Sequence, residues 1–294
     1  MEISHLQAFI HIAESGSFSA AANDLHLTQP AISKRIANLE QQFDVRLFDR
    51  AGRTVKLTEP GRLLLPKARE ILSTLELSKQ LIENLGDKVR GNLNLAVTHH
   101  IGLHRLPKIL KHFRNTYNDV ALQLEFMDSS EACELVEGGT AEMAIITLPA
   151  KPSGNLISTQ LWHDRLVFAG ALNHPAGKES NKSLETLTEH DAILPDRGTL
   201  TRKLIDRYLE RHNCQAKVTM ETNYLETLRM MSKIGIGWTV LPEIMIDKSE
   251  MQIFDFVDSD ISRKLGIVRN RNRSLSNAAR AMCEALVNAT ETTY

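Results

Sequence analysis

The sequence predicts a small all-α module closed by a β-hairpin, then one long helix, then a larger domain of alternating strands and helices. Three observations carry this prediction. Between Phe18 and Leu57, two short helical patterns precede a glycine flanked by cationic residues. From Thr58, apolar residues recur at spacings of four and three as far as Leu85, the mark of a long helix with one seam. From Asn92 onward, apolar runs of strand length alternate with helical periods.

A chain of 294 residues has room for two or three compact units, and an apolar content of 42% argues against disorder. The formal net charge of −1 gives the whole molecule no general affinity for polyanions. Any nucleic-acid contact must therefore come from local placement. Between Gln29 and Lys56 there are six Lys/Arg against three Asp/Glu, so such a placement exists. No cationic segment with an apolar stretch behind it opens the chain, and no apolar run approaches a membrane span. A cytoplasmic protein with no membrane partner is expected. Cys133, Cys214 and Cys283 lie far apart and form no CxxC pair, which favours reduced thiols over a zinc site or a disulfide framework.

Leu6, Phe9, Ile10 and Ala13 form one face of a supporting first helix. Ser19 is the expected cap of a short second helix carrying Ala21, Ala22 and Leu25, and Phe18 enters it from the core side. Thr28 stands where a third helix starts, with Pro30 in its first turn, where a missing N–H costs nothing. Ile32, Ile36, Leu39 and Phe43 give that helix one apolar face. The opposite face opens with Gln29, Ser33, Lys34 and Arg35. Amide, hydroxyl and cationic groups at the N-terminal end of a short exposed helix have the form of a major-groove reader. Leu47 and Phe48 should pack the following hairpin onto it. The tip, RAGRTVK, carries Arg50, Arg53 and Lys56 with no acid among them, a cationic wing placed to touch phosphates.

Thr58 caps the long helix, with Pro60 in its first turn. Leu64, Ala68, Ile71, Leu75, Ser78, Ile82 and Leu85 make a heptad seam with one polar break, roughly 30 Å long at about 1.5 Å per residue. The seam reads better as a dimer interface than as a helix laid on its own module. Pro66 removes the N–H that would pair with the carbonyl of Arg62, so a slight bend or a solvent-facing position is expected. Gly86, Asp87 and Gly91 end the helix and make a hinge. Beyond it, LNLAV, VALQLEFM and AEMAIITL read as strands, with IGLHRLPKILKHFRNTY and SSEACELVEGG as the helices between them. LVFAGAL, DAILP, KVTMET, GWTVLP and KLGIVRN supply further strands. LTRKLIDRYLERHN, YLETLRMMSKIG and SNAARAMCEALVNA, the last capped by Ser276, supply further helices. Interleaving of this kind indicates an α/β domain with a largely parallel sheet.

LQAFIHIAESGSFSAAANDLHLTQPAISKRIANLEQQFDVRLFDR, within Leu6 to Leu72, resembles the N-terminal winged helix-turn-helix of LysR-type transcriptional regulators. The resemblance is long and specific there, and the rest of the chain fits the family in length and order of elements. It implies a winged helix-turn-helix DNA-binding domain over 1–58, a dimerising linker helix over 59–88 and an effector-binding domain over 89–294. The last would hold two α/β subdomains like those of periplasmic solute-binding proteins: subdomain I, 89–162 and 268–294, and subdomain II, 163–267. The implied function is sequence-specific regulation of transcription, controlled by a small-molecule effector. The implied partners are double-stranded DNA bearing an interrupted palindrome, a second copy in a homodimer, a tetramer built from two dimers, and RNA polymerase. Gln29, Ser33 and Lys34 become candidates for base contacts. Thr28, Arg35, Arg50 and Arg53 become candidates for phosphate contacts, with Pro30 at the same helix start. Some relatives in this family sense oxidants through cysteines, but nothing around the three here suggests it.

In open α/β sheets, ligands bind beyond the carboxyl ends of strands, where helix N-termini offer unpaired N–H groups. Three places match: Thr98, His99 and His100 after LNLAV; Asp196 to Thr201, with Thr199 and Thr201 at the next helix; and Thr147 at the end of AIIT. Met127, Asp128 and Ser129 end another strand and are weaker candidates, and Thr222 to Tyr224 are candidates for lining the second subdomain. Helix N-termini with hydroxyls favour a small anion, most simply a carboxylate, and the histidines could add charge or hydrogen bonds. The family places its effector at the Thr98–His100 turn. His99, His100 and His104 do not form a recognised metal set, so no metal and no cofactor is expected. No GxSxG, GxGxxG, P-loop or HExxH occurs, which argues against an enzyme. The alternative, a small-molecule receptor without sequence-specific DNA binding, is disfavoured by the cationic wing and the reading face.

Overall fold

In the computed structural model, the described residues are 2–51, 54–83, 88–179, 182–255, 257 and 260–291. The chain divides into one unit of residues 1–88 with 138–140, and another of 89–137 with 141–294. The first contains α1 (Ile3–Ser15), α2 (Phe18–Asp24), α3 (Gln29–Phe43), the hairpin β1 (Phe48–Ala51) and β2 (Thr54–Leu57), and α4 (Glu59–Glu83). Gly16 ends α1 at φ 64°, a backbone conformation that side chains disfavour. Ser17, not Ser19, caps α2: its hydroxyl accepts from the Ala20 N–H at 3.3 Å. The helix starts early enough to bury Phe18 in its first turn, and Ser19 instead reaches the Gln29 side chain at 3.2 Å. Thr28 caps α3, accepting from the Ala31 N–H at 3.4 Å, with Pro30 in the first turn.

Ile32, Ile36 and Leu39 are fully buried, whereas Phe43 is 47% exposed. The helical period assigns Phe43 to the apolar face, but α3 ends there and Asp44 turns the chain away at φ 50°. Phe48 packs on the rings of Phe9 and Phe18, at 5.3 and 5.8 Å between centroids, so the hairpin rests on α1 and α2 as well as on α3. The link to α3 is Glu40, whose carboxylate accepts from the Leu47 N–H at 2.8 Å. Thr58 caps α4, accepting from the Gly61 N–H at 3.1 Å. A Cβ on Gly61 would collide with the Leu47 carbonyl oxygen, so only glycine lets α4 lie this close to the hairpin.

The seam on α4 is divided. Ala68 is buried and Leu64 packs with Leu65 and Leu72 into the core of Leu6 and Ile32. That half is laid on its own module, contrary to the expectation of one continuous interface. Ile71 and Ile82 remain 40% and 67% exposed. Pro66 faces solvent, one of the two placements expected. Gly52, Arg53, Leu85, Gly86 and Asp87 lie outside the described residues.

The second unit runs β3 (Gly91–Val97), α5 (His99–His104), α6 (Pro107–Thr116), β4 (Val120–Phe126), α7 (Ser129–Gly138), β5 (Met143–Thr147) and β6 (Leu156–Ala171). It continues with α8 (Leu184–Thr188), β7 (Asp191–Leu194), α9 (Leu200–Arg211), β8 (Lys217–Glu221), α10 (Leu225–Lys233), β9 (Thr239–Pro242), β10 (Met251–Ile253), β11 (Ser262–Asn270) and α11 (Asn277–Glu291). The single helix expected from Ile101 to Tyr117 is two, α5 and α6. Pro107 has no N–H to continue the ladder, and its ring would meet the carbonyl of Leu103.

The main sheet has the order β10-β6-β11-β5-β3-β4, with β9 also paired to β6. β3 is parallel to β4 and β5, but β11 lies between β5 and β6 and is antiparallel to both. β9 and β10 are antiparallel to β6, and β7 with β8 forms a separate parallel pair. The sheet is therefore mixed, not largely parallel as expected. Late strands return to fill places that a run of crossovers would have left parallel. Two cores result. One gathers Leu95, Phe113, Ile145, Ile267 and Met282, and the other Phe168, Leu194, Ile205 and Trp238. β6 serves both lobes: Leu156 to Arg165 pair with β11, and Leu166 to Ala171 with β9 and β10.

Candidate functional site

The N-terminal end of α3 presents its polar side chains outward because Ile32, Ile36 and Leu39 hold the other face in the core. Gln29 and Lys34 are exposed, and Ser33 and Arg35 half-buried. Neither Lys34 nor Arg35 has an ion-pair partner among the described residues. The helix is 15 residues long and its free N–H groups and polar side chains share one end, the arrangement that enters a major groove. Arg50 is placed only by the backbone pairing of β1, opposite Val55. Arg53, the other expected phosphate contact of the wing, lies outside the described residues.

In the second unit, the carboxyl ends of β3, β4 and β5 in one lobe face those of β7 and β8 in the other. Thr98, His99 and His100 after β3, Asp128 and Ser129 after β4, and Thr147 on β5 line a cavity of about 480 Å³ from the first lobe. Asp196, Thr199 and Thr201, after β7 and in α9, line it from the second. Tyr224 lines an adjoining cavity of about 330 Å³. All the sequence-derived candidates of this domain thus surround one cleft, although they span the chain from 98 to 224.

Polar contacts cross it. Asn223 accepts from the Asp196 N–H at 3.1 Å and donates to the Asp128 carboxylate at 2.9 Å. The His99 ring lies between Phe126 and Tyr224, at 5.4 and 4.9 Å between centroids. His104 hydrogen-bonds Glu226 at 2.6 Å. Burial pushes the Glu226 carboxyl up, but hydrogen bonds from Arg229 and His104 outweigh it and hold it below the usual range.

Thr98 and Thr199 differ in a way the sequence does not show. Both precede helices. Thr199 spends its hydroxyl on the fold, accepting from the Arg202 N–H at 3.1 Å and donating to the Asp196 carbonyl at 2.8 Å. Thr98 makes no capping bond, and its buried Oγ1 has no partner among the described residues. The nearby His100 Nε2 is also buried and unpartnered. Burial, followed by the Arg263 charge, holds the His100 imidazole well below its ordinary pKa, so the ring is neutral at neutral pH.

Sequence reasoning missed Glu131, which lines the cavity from α7, and, more consequentially, Arg263. Arg263 stands on β11 at the floor of the cleft with its side chain 3% exposed. Its Nε donates to Asp164 at 2.9 Å and one terminal nitrogen donates to Thr201 at 2.9 Å. The other, Nη2, has no partner among the described residues. Asp164 also accepts from Arg105 at 3.3 Å, so two guanidinium groups share one carboxylate. The available signal was weak: Arg263 precedes the apolar run Leu265–Val268 in a strand that also carries Lys264 and Arg269. Period alone does not tell whether such an arginine faces solvent or a cleft.

The three cysteines are free and half-buried. Burial pushes all three thiols up, Cys283 to about 11, which keeps them protonated and poorly nucleophilic.

Two family models match the chain: "Bacterial regulatory helix-turn-helix protein, lysR family" over residues 3–62, and "LysR substrate binding domain" over residues 86–291. An HTH-type transcriptional regulator of Azotobacter vinelandii is 63% identical over 107 residues, covering 36% of this chain and 74% of the relative. A probable RuBisCO transcriptional regulator of Trichormus variabilis is 33% identical over 285 residues, covering 94% of this chain and 85% of the relative. Among solved structures, a full-length single-substitution variant of OxyR from Pseudomonas aeruginosa matches with a TM-score of 0.73 at 21% identity, over 99% of this chain and 95% of that one.

Proposed function

We propose a mechanism from one premise: the chain belongs to the LysR family of transcriptional regulators. It is a DNA-binding transcriptional regulator with an effector-binding domain. The family is one of regulators rather than enzymes, and binding is the whole of the proposed activity. The proposed site of action is the cytoplasm, where a bacterial regulator of this family meets its DNA. No helix of the described residues is long and apolar enough to cross a membrane.

On this reading, residues 1–58 bind DNA, 59–88 join two copies, and 89–294 respond to the effector. Gln29, Ser33 and Lys34 read base edges, while Thr28, Arg35, Arg50 and Arg53 fix the module on phosphates. The exposed Ile71 and Ile82 of α4 support a helix–helix contact between copies, and a dimer would offer two recognition helices to an interrupted palindrome. Assembly of dimers into a tetramer, and contact with RNA polymerase, complete the proposed working state.

One observation supports the effector reading above the rest. Thr98, His100 and Arg263, all lining the same cavity, each leave a buried polar atom without a partner. An unmet buried polar group costs about 1–3 kcal/mol, and a ligand that bonds to these three recovers it. The surplus positive charge of Arg105 and Arg263 over Asp164 favours an anionic group on that ligand. An effector that binds the two lobes at one separation better than at another shifts the equilibrium by that difference alone, and so changes the spacing of the DNA-binding modules.

The test is Thr98→Val. The substitution keeps the shape and removes an unbonded hydroxyl, so stability should be unchanged or slightly raised. Promoter binding in a mobility-shift assay should also be unchanged, while the effector-dependent change in reporter transcription is lost. A full response in this variant removes Thr98 from the site.

A further inference from the structure

Resting on the reading of the cleft as the effector site, we propose that the effector is amphoteric: it carries a cationic nitrogen as well as an anionic group, as an amino acid does. The floor and the rim of the cleft have opposite charge. At the floor, Arg263 and Arg105 share Asp164, leaving one positive charge over, and Arg263 Nη2, Thr98 Oγ1 and His100 Nε2 are unpartnered. At the rim, Asp128, Glu131 and Asp196 line both the main cavity and the adjoining smaller one. Among the described residues, no lysine or arginine joins them in lining the smaller cavity. Among the described residues, the side chain that hydrogen-bonds Asp128 is the neutral amide of Asn223. Glu131 and Asp196 have no ion pair among the described residues. By contrast, Glu221 in the same smaller cavity is already matched by Arg202 at 2.7 Å and Arg197 at 3.5 Å.

The walls of the smaller cavity point the same way. Phe126 and Tyr224 are 46% and 55% exposed, and they flank His99 there. Aromatic faces beside carboxylates attract an ammonium group. A ligand with anionic charge alone would satisfy Arg263 and then meet three carboxylates that make no ion pair among the described residues. A ligand with both charges satisfies floor and rim together. The two cavities share His99, Asp128 and Asn223 among their walls, so one small molecule can extend from the first into the second.

The experiment uses the full chain, with titration calorimetry and thermal unfolding followed by tryptophan emission. The probes are the proteinogenic amino acids and short ω-amino acids, each beside its deaminated acid and its decarboxylated amine. At least one amino acid should bind and raise the transition, with its deaminated acid at least about tenfold weaker. Asp196→Asn combined with Glu131→Gln should narrow that gap, by weakening the amino acid and not the acid. Neither side chain makes an ion pair among the described residues, so the variant should unfold at the wild-type midpoint without ligand. If a deaminated acid binds as well as its parent, the amphoteric proposal is wrong while the cleft remains an anion site. If no probe of any class binds, the proposal and the effector reading of the cleft fall together.

Discussion

The recognition helix and the cleft place polar side chains in opposite situations. On α3, Gln29, Ser33, Lys34 and Arg35 stand at the surface, and what fixes them is apolar packing on the far side of the same helix. In the cleft, Arg263 is buried, and what fixes it is its bonding to Asp164 and Thr201, distant parts of the chain. Exposed groups are held by their own element and can be exchanged with little effect on folding. A buried charge is held by its partners, so changes to Arg263 or to Asp164 affect folding and binding at once. Substitutions should therefore separate the two regions, and the chain's two tryptophans help, since Trp162 and Trp238 both lie in the second unit.

The largest effect is expected from Asp164→Asn. It leaves the buried Arg263 without its counter-charge, and breaking a buried pair costs about 3–5 kcal/mol. The tryptophan-monitored urea midpoint should drop, while the isolated contribution of residues 1–58 to DNA sequence preference stays. An unchanged midpoint would mean that hydrogen bonds to Thr201 and to the new amide are enough to hold the floor. Next comes Gly61→Val, whose side chain must displace the Leu47 carbonyl, at a cost of about 1–3 kcal/mol. It should weaken DNA binding and leave the tryptophan transition where it was, the reverse pattern to Asp164→Asn.

Lys34→Ala should leave both stabilities alone and relax sequence preference, by about 1–3 kcal/mol if its contact is to a base. Mobility shifts on promoter and random duplexes decide this, and an equal loss on both would reassign Lys34 to a phosphate. The smallest effect is a pH dependence of the second unit. Burial holds His100 and His174 below the ordinary histidine range, with help from Arg263 and His190 respectively. Only the unfolded chain then takes up their protons as pH falls through about 6.5, so stability is full above that value and declines below it. The tryptophan midpoint should fall between about pH 7 and about pH 5, and His100→Asn should flatten the decline.

Local chemistry decided much of this molecule, and the sequence alone determined that part. Thr28 and Pro30 start α3, Ile32, Ile36 and Leu39 orient it, and Thr58 starts α4, because a cap and a helical period act over a few residues. The same logic put every strand-end candidate of the second unit at the carboxyl edge of a sheet, since helix follows strand there in chain order. Tertiary structure decided the rest. It buried Ala68 in its own module and left Ile82 outside, and it slid β11 between β5 and β6. Above all, it made Arg263 the floor of the cleft by joining it to Asp164, 99 residues away, and to Thr201, 62 away. No period records such partners, because the energy that selects them is that of burying charge, and it exists only once both lobes have closed water out.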